Sequence, residues 1–377
     1  MATRIAVTRE RRPGETRVAA TPESVKRLKG SGFDVVVEAG AGLTASISDQ
    51  EFIDAGAQVA PSAAAALKDA DILFKVRGPS PEELTGLKSG AIVVGLLNPH
   101  QDRALLDALA KKQAVAFAME LAPRITRAQA MDALSSQANL AGYRAVIEAA
   151  EAYGRVMPMM MTAAGTVAPA KVFVMGAGVA GLQAIATARR LGAVVTATDV
   201  RPAAKEQVES LGAKFVAVED EEFKAAETAQ GYAKEMSAEY RAKQAALVAE
   251  HIKKQDIVIT TALIPGRPAP KLVNAAQVAS MRPGSVIVDL AVEQGGNVEG
   301  SKSDETVETG GVKIVALANM PGRIAADASA LYARNLQAFA SLLLNEEGLL
   351  EPDYEDEILK GSLVTRDGAV TFAGPKS

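Results

Sequence analysis

The stretch Lys171–Arg201, KVFVMGAGVAGLQAIATARRLGAVVTATDVR, constrains this chain more than any other. A short apolar run, Val172–Met175, meets Gly176-Ala-Gly178-Val-Ala-Gly181, and a helix-compatible stretch follows to Leu191. A second apolar run then ends on Asp199, 23 residues after Gly176. Strand, tight turn, helix and second strand with a terminal acid form the context that a dinucleotide-binding fingerprint requires. Gly176 permits the turn, Gly178 lets backbone approach a pyrophosphate, and Gly181 lets helix and strand pack closely. The helix N-terminus, where Val179 sits, offers free N–H groups and a positive dipole end to phosphates. Asp199 is suited to accept hydrogen bonds from the adenosine ribose hydroxyls and to repel a 2′-phosphate, which favours NAD over NADP. Val200 and Arg201 continue that rim, and an arginine two residues past the acid could also accommodate a 2′-phosphate.

A length of 377 residues suggests two domains, or three. Alternating strands and helices occupy the N-terminal third: Arg4–Thr8, a helix opened by Thr21-Pro22-Glu23, Asp34–Glu38, Ile72–Val76, Ala91–Leu97 and Ala114–Ala118. This alternation predicts a parallel sheet with helices on both faces. Arg124–Tyr153 reads as one long helix after an arginine-rich turn, and Ile324–Leu344 as another that returns the chain to the first domain. The expected architecture is α/β: two Rossmann-like, doubly wound parallel-sheet domains joined by long helices. The first spans 1–138 plus 319–377, and the NAD-binding one spans 139–318. A terminal hairpin is expected at SLVT-RDG-AVTF.

Composition narrows the function classes. A net charge of −4 argues against a nucleic-acid partner, and the absence of cysteine removes disulfides, thiolate zinc sites and thiol nucleophiles. The N-terminus becomes charged too early for a signal peptide, and no 18-residue window is continuously apolar. A cytoplasmic protein is expected.

Long blocks of this sequence resemble a known family. They include ERRPGETRVAATPE (Glu10–Glu23), RITRAQAMDALSSQANLAGYRAV (Arg124–Val146), the fingerprint with its upstream PMMMTAAGTVAPA, TTALIPGRPAP (Thr260–Pro270) and PGSVIVDLAVEQGGN (Pro283–Asn297). Over nearly its whole length the chain resembles the soluble NAD(H)-binding component, domain I, of proton-translocating nicotinamide nucleotide transhydrogenase, itself related to alanine dehydrogenase. The resemblance implies a homodimer. It places Arg124 and Asp132 near the nicotinamide, with Arg127 beside them, makes Ser135 a ligand of the ring carboxamide, and has Gln129 reach the nucleotide on a partner domain. It makes the aperiodic segment Glu219–Ser237 a mobile loop over bound NAD(H), with Gly231 as hinge and Tyr232 and Met236 as its contact face. Gln244 and Leu263 match positions that line the NAD site.

The two relatives need different residues. Reductive amination of a keto acid needs groups that anchor a carboxylate and move protons. The chain keeps the cationic pair of alanine dehydrogenase, Arg17 and Lys75, but that family's histidine falls on Asn98 and its acid on Glu293. His100 offers a shifted alternative for a stand-alone alanine dehydrogenase, and His251 reads as solvated. Hydride transfer between two nicotinamides needs only two rings held together with water excluded. A transhydrogenase reading therefore puts NADP(H) on the NADP(H)-binding domain of a beta subunit and the proton path in membrane-spanning subunits. The chain would then sit peripherally at the cytoplasmic face of the inner membrane. A non-catalytic NAD-binding module is the remaining reading.

Overall fold

A computed structural model describes residues 2–224, 237–264 and 266–374. The chain divides into two compact units, Met1–Gln137 with Pro321–Ser377, and Ala138–Met320.

The first unit is built on an eight-stranded sheet. Six parallel strands lie in the spatial order Gln58–Ala60, Phe33–Glu38, Thr3–Val7, Ile72–Arg77, Ile92–Leu96, Val115–Ala118, which is the doubly wound order 3-2-1-4-5-6. The antiparallel hairpin Leu363–Arg366 and Ala369–Val370 extends the edge beside Val115–Ala118. Apart from the edge strand Gln58–Ala60, the parallel strands are largely buried on both faces, as a sheet between helix layers requires. Ile5, Val7, Phe74 and Val76 face a layer that includes Tyr332, Leu336 and Phe339 of the helix Ala325–Ala340. Ala6, Leu73 and Val93 face Leu106 and Leu109. Sequence-local caps start the helices. Thr21, Ser48 and Ser80 each close a capping box, and Pro follows Thr21 and Ser80 at the first helical position.

The second unit repeats the order. Lys214–Phe215, Val194–Thr198, Lys171–Met175, Ile257–Thr260, Val286–Asp289 and Val312–Ala316 are parallel, and Glu305–Thr309 adds an antiparallel edge. Val172, Val174, Ile257 and Ile259 pack on one face; Phe173, Val258, Ile287 and Ile314 pack on the other. A separate small hairpin, Met160–Thr162 with Gly165–Val167, is exposed throughout.

Two local expectations need correction, and one strand was not anticipated. The stretch from Arg124 is not α-helical: Thr126–Met131 is 3₁₀ and the α-helix runs Ala133–Tyr153. The cause is Asp132, whose carboxylate accepts from the Ser135 N–H at 2.8 Å and so caps a new helix that starts at the next residue. His251 is not solvated. It is half-buried, shares a 2.8 Å hydrogen bond with Thr196 Oγ1 and lies edge-on to Phe173, and burial lowers its pKa. The antiparallel strand Glu305–Thr309 carries little sequence signal because its alternation, ETVET, leaves only Val307 apolar. Among the described residues no helix is long and apolar enough to cross a membrane.

Candidate functional site

The fingerprint of the second unit lies at the carboxyl edge of its sheet, at the switch point between Lys171–Met175 and Ile257–Thr260. The three glycines have three different reasons. Gly176 has φ +106°, and a Cβ there would meet Thr261 Oγ1 at 2.5 Å. A Cβ at Gly181 would stand 1.8 Å from the Gly176 carbonyl oxygen, so the helix Val179–Arg190 can cross the strand end only there. At Gly178, the N-cap, a Cβ would meet nothing within 4 Å, so this position stands in open space. Gly142, which the fingerprint does not include, completes the packing: a Cβ would fall 2.0 Å from the Ala180 carbonyl oxygen.

Asp199 ends the neighbouring strand and ties the turn to it, accepting from the Ala177 N–H at 2.7 Å. Arg201 folds onto the same carboxylate through Nε at 2.9 Å and Nη2 at 3.0 Å. Gln244 stands at the same edge. It accepts from Val218 N–H at 2.9 Å and donates to Thr198 Oγ1 at 3.1 Å, which fixes the strand end. Val179, Val200 and Leu263, with Ile264, are exposed apolar side chains following the carboxyl ends of adjacent strands. Gly231, Tyr232 and Met236 lie outside the described residues.

The loop Leu290–Asn297 is anchored by groups that carry no obvious motif. Asp289, fully buried, accepts from the N–H groups of Ala291, Asn297 and Val298 and from the Ser301 hydroxyl. Asn297 donates to the Ala262 and Pro270 carbonyls and accepts from the Ala262 N–H, holding TTALIPG against the loop. A signal was present, since Asp-Leu-Ala-Val-Glu-Gln-Gly-Gly-Asn follows an apolar strand. Glu293 itself is exposed and accepts from the Asn319 N–H at 3.3 Å.

The Arg124–Ser135 set belongs to the first unit. Arg124 and Gln129 are exposed, and neither side chain has an ionic or hydrogen-bonded partner among the described residues. Asp132 and Ser135 are brought together: the Ser135 hydroxyl donates to Asp132 Oδ2 at 2.6 Å. Arg127 instead pairs with Asp356 of the returning segment at 2.7 Å, which holds the Asp356 pKa down against the opposing effect of burial.

The first sheet's own switch point, between Thr3–Val7 and Ile72–Arg77, is occupied by the chain itself. Lys75, 1% exposed, donates to Thr8 Oγ1, the Arg9 carbonyl and Glu83 Oε1, and lies 3.3 Å from Glu10. Arg17, 2% exposed, forks onto Glu15 at 2.8 and 2.7 Å and donates to Gln137; Arg77 also reaches Glu15. Burial opposes ionisation of Glu15, but the two guanidiniums prevail and hold its pKa at about 2. Burial pushes Glu10 up despite Lys75. Glu120 is pushed up to about 7 by burial: one oxygen takes the Asn98 N–H at 2.5 Å, and the other has no partner among the described residues. Asn98 adopts φ +51° in that turn, and His100 lies edge-on to Phe372.

Comparison with known proteins agrees with this geometry. The family model described as "Alanine dehydrogenase/PNT, N-terminal domain" matches residues 6–141, and "Alanine dehydrogenase/PNT, C-terminal domain" matches residues 145–373. The chain is 56% identical over 373 residues to an NAD(P) transhydrogenase alpha subunit of Rhodospirillum rubrum, covering 97% of each. It is 30% identical to an alanine dehydrogenase of Halomonas elongata, covering 98% of this chain and 95% of that one. A crystal structure of transhydrogenase from Sinorhizobium meliloti superposes with a TM-score of 0.90 at 59% identity, covering 98% of this chain and 100% of that one. By likeness spread over both units, the chain belongs to the alanine dehydrogenase/PNT family.

Proposed function

We propose that the chain is the NAD(H)-binding component of a proton-translocating NAD(P)+ transhydrogenase. It passes hydride between NADH in its second unit and NADP+ held on a beta-type subunit, and membrane-spanning subunits couple the exchange to protons. The observation that carries this reading is the contrast at the two switch points. The second unit offers an open glycine edge with an acid at the ribose position. In the first, the groups a keto acid would need are engaged by Glu10, Glu15 and Glu83.

In this reading the pyrophosphate lies on the Gly176–Gly181 turn, and Val179, Val200, Gln244 and Leu263 wall the nucleotide. The side chains of Arg124 and Gln129, exposed and without ionic or hydrogen-bonded partners among the described residues, suit contact with nucleotide rather than a structural task. Asp132 orients the Ser135 hydroxyl, whose oxygen keeps a lone pair for a carboxamide N–H. A homodimer is supported by the second unit's exposed hairpin, with Met159, Met160, Met161 and Val167 uncovered. Beside it lies a largely apolar groove of about 620 Å³ lined by Val156, Met157, Pro158 and Leu191. An apolar surface of this kind is a protein-contact signature.

The test is activity of the purified chain. Hydride exchange between NADH and an NADP+ analogue should appear only after an NADP(H)-binding domain is added. Appreciable pyruvate- and ammonia-dependent NADH oxidation by the chain alone would overturn the assignment in favour of alanine dehydrogenase.

A further inference from the structure

The acid that should greet the ribose is already engaged. Asp199 Oδ1 accepts from the Arg201 N–H at 2.8 Å and from Arg201 Nε at 2.9 Å. Oδ2 accepts from the Ala177 N–H at 2.7 Å and from Arg201 Nη2 at 3.0 Å. A carboxylate has about four lone-pair positions, and here each has a donor. The same Nη2 donates to the Ala177 carbonyl at 3.2 Å, so the guanidinium bridges acid and turn. The Asp199 side chain is 7% exposed beneath it and that of Arg201 34%. The donor pattern that a ribose diol would present to Asp199 is thus supplied from within, by an arginine that remains reachable from solvent.

We propose that Arg201 is a displaceable latch that sets how strongly this site discriminates a 2′-hydroxyl nucleotide from a 2′-phosphate one. This rests on the second unit binding the nucleotide as proposed above. With the latch closed, Asp199 is neutralised and its acceptor positions are filled. A ribose diol gains Asp199 only by displacing the guanidinium. A 2′-phosphate loses less than a bare aspartate would impose, because the displaced guanidinium is a charge-assisted partner for it. Arg201 therefore weakens the preference for NADH that Asp199 creates. Removing the arginine charge should sharpen the preference; removing the aspartate charge should erase it.

The experiment uses the full chain and titrates NADH and NADPH against wild type, Arg201→Gln, Arg201→Lys and Asp199→Asn, with thermal melting as a check on folding. In Arg201→Gln the ratio of NADPH to NADH dissociation constants should rise on the order of tenfold. Arg201→Lys keeps a charge without the fork and should return the ratio towards wild type, and Asp199→Asn should lower it. An unchanged ratio in a folded, NADH-binding Arg201→Gln, or equal losses of both nucleotides, would overturn the latch while leaving the nucleotide assignment standing. Failure of the wild type to bind NADH would remove the nucleotide assignment and the latch with it.

Discussion

The two sheets share a strand order, a parallel core and a switch point between the first and fourth strands, yet their carboxyl edges are chemically opposite. At the first, Thr8, Glu10, Lys75 and Glu83 close the crevice with buried ion pairs. At the second, glycines take the place of side chains and a partly exposed Arg–Asp pair guards the rim. One topology has thus yielded a filled edge and an open one. The difference lies in which residues follow the strand ends, so fold likeness alone does not say which edge would take a nucleotide.

That comparison can be broken at several points. The largest effect is expected at the open edge: Gly181→Ala, which sets a Cβ 1.8 Å from a backbone oxygen, should cost about 4 kcal/mol in a denaturant titration. Gly178→Ala meets nothing in the protein, so it should melt like wild type and instead weaken NADH binding. Equal stability losses for the two would mean the glycines share one packing role. At the filled edge, Glu15→Gln leaves Arg17 buried without its counter-charge and should cost about 3 kcal/mol. Because the Glu15 pKa lies at about 2 when folded, its contribution is complete above the ordinary value of 4.5 and is lost as pH falls towards 2. The variant should lack that acid-side loss.

Glu120 carries the opposite sign. Its folded pKa of about 7 exceeds the ordinary 4.5, so the folded chain holds a proton that the unfolded chain has released, and stability falls as pH rises through that window. Glu120→Gln should therefore gain on wild type by about 1–3 kcal/mol between about pH 4.5 and 8, measured by melting at both. A pH-independent difference would mean that Glu120 titrates normally. The smallest effect belongs to Asp132→Ala, which removes a helix cap and should cost about 1 kcal/mol.

The fingerprint was legible because its parts are local: turn, helix start and acid fall within Lys171–Arg201, and Gly176 and Gly181 take the turn and packing roles that spacing alone implies. The first unit's ion-pair cluster was not. Lys75 meets Glu10 and Thr8 from far along the chain, and Arg17 meets Gln137 across 120 residues, contacts that no periodicity announces. The start of the helix at Ala133 is hidden because a capping Asp inside a run of helix formers looks like one more polar residue. The Arg201–Asp199 pair could have been anticipated, since an aspartate past a strand end readily accepts from the backbone N–H two residues on, which turns that residue back towards the carboxylate.

The returning segment has a consequence for how the chain is made. The helix Ala325–Ala340 supplies Tyr332, Leu336 and Phe339 to the first unit's core, and Leu363–Arg366 lengthens its sheet. Synthesis from the N-terminus therefore completes residues 138–320 as a continuous unit while the first still lacks a helix and an edge. The unit begun first is finished last. On the ribosome its half-built core must wait for the rest of the chain, which makes that interval the point at which a chaperone would matter most.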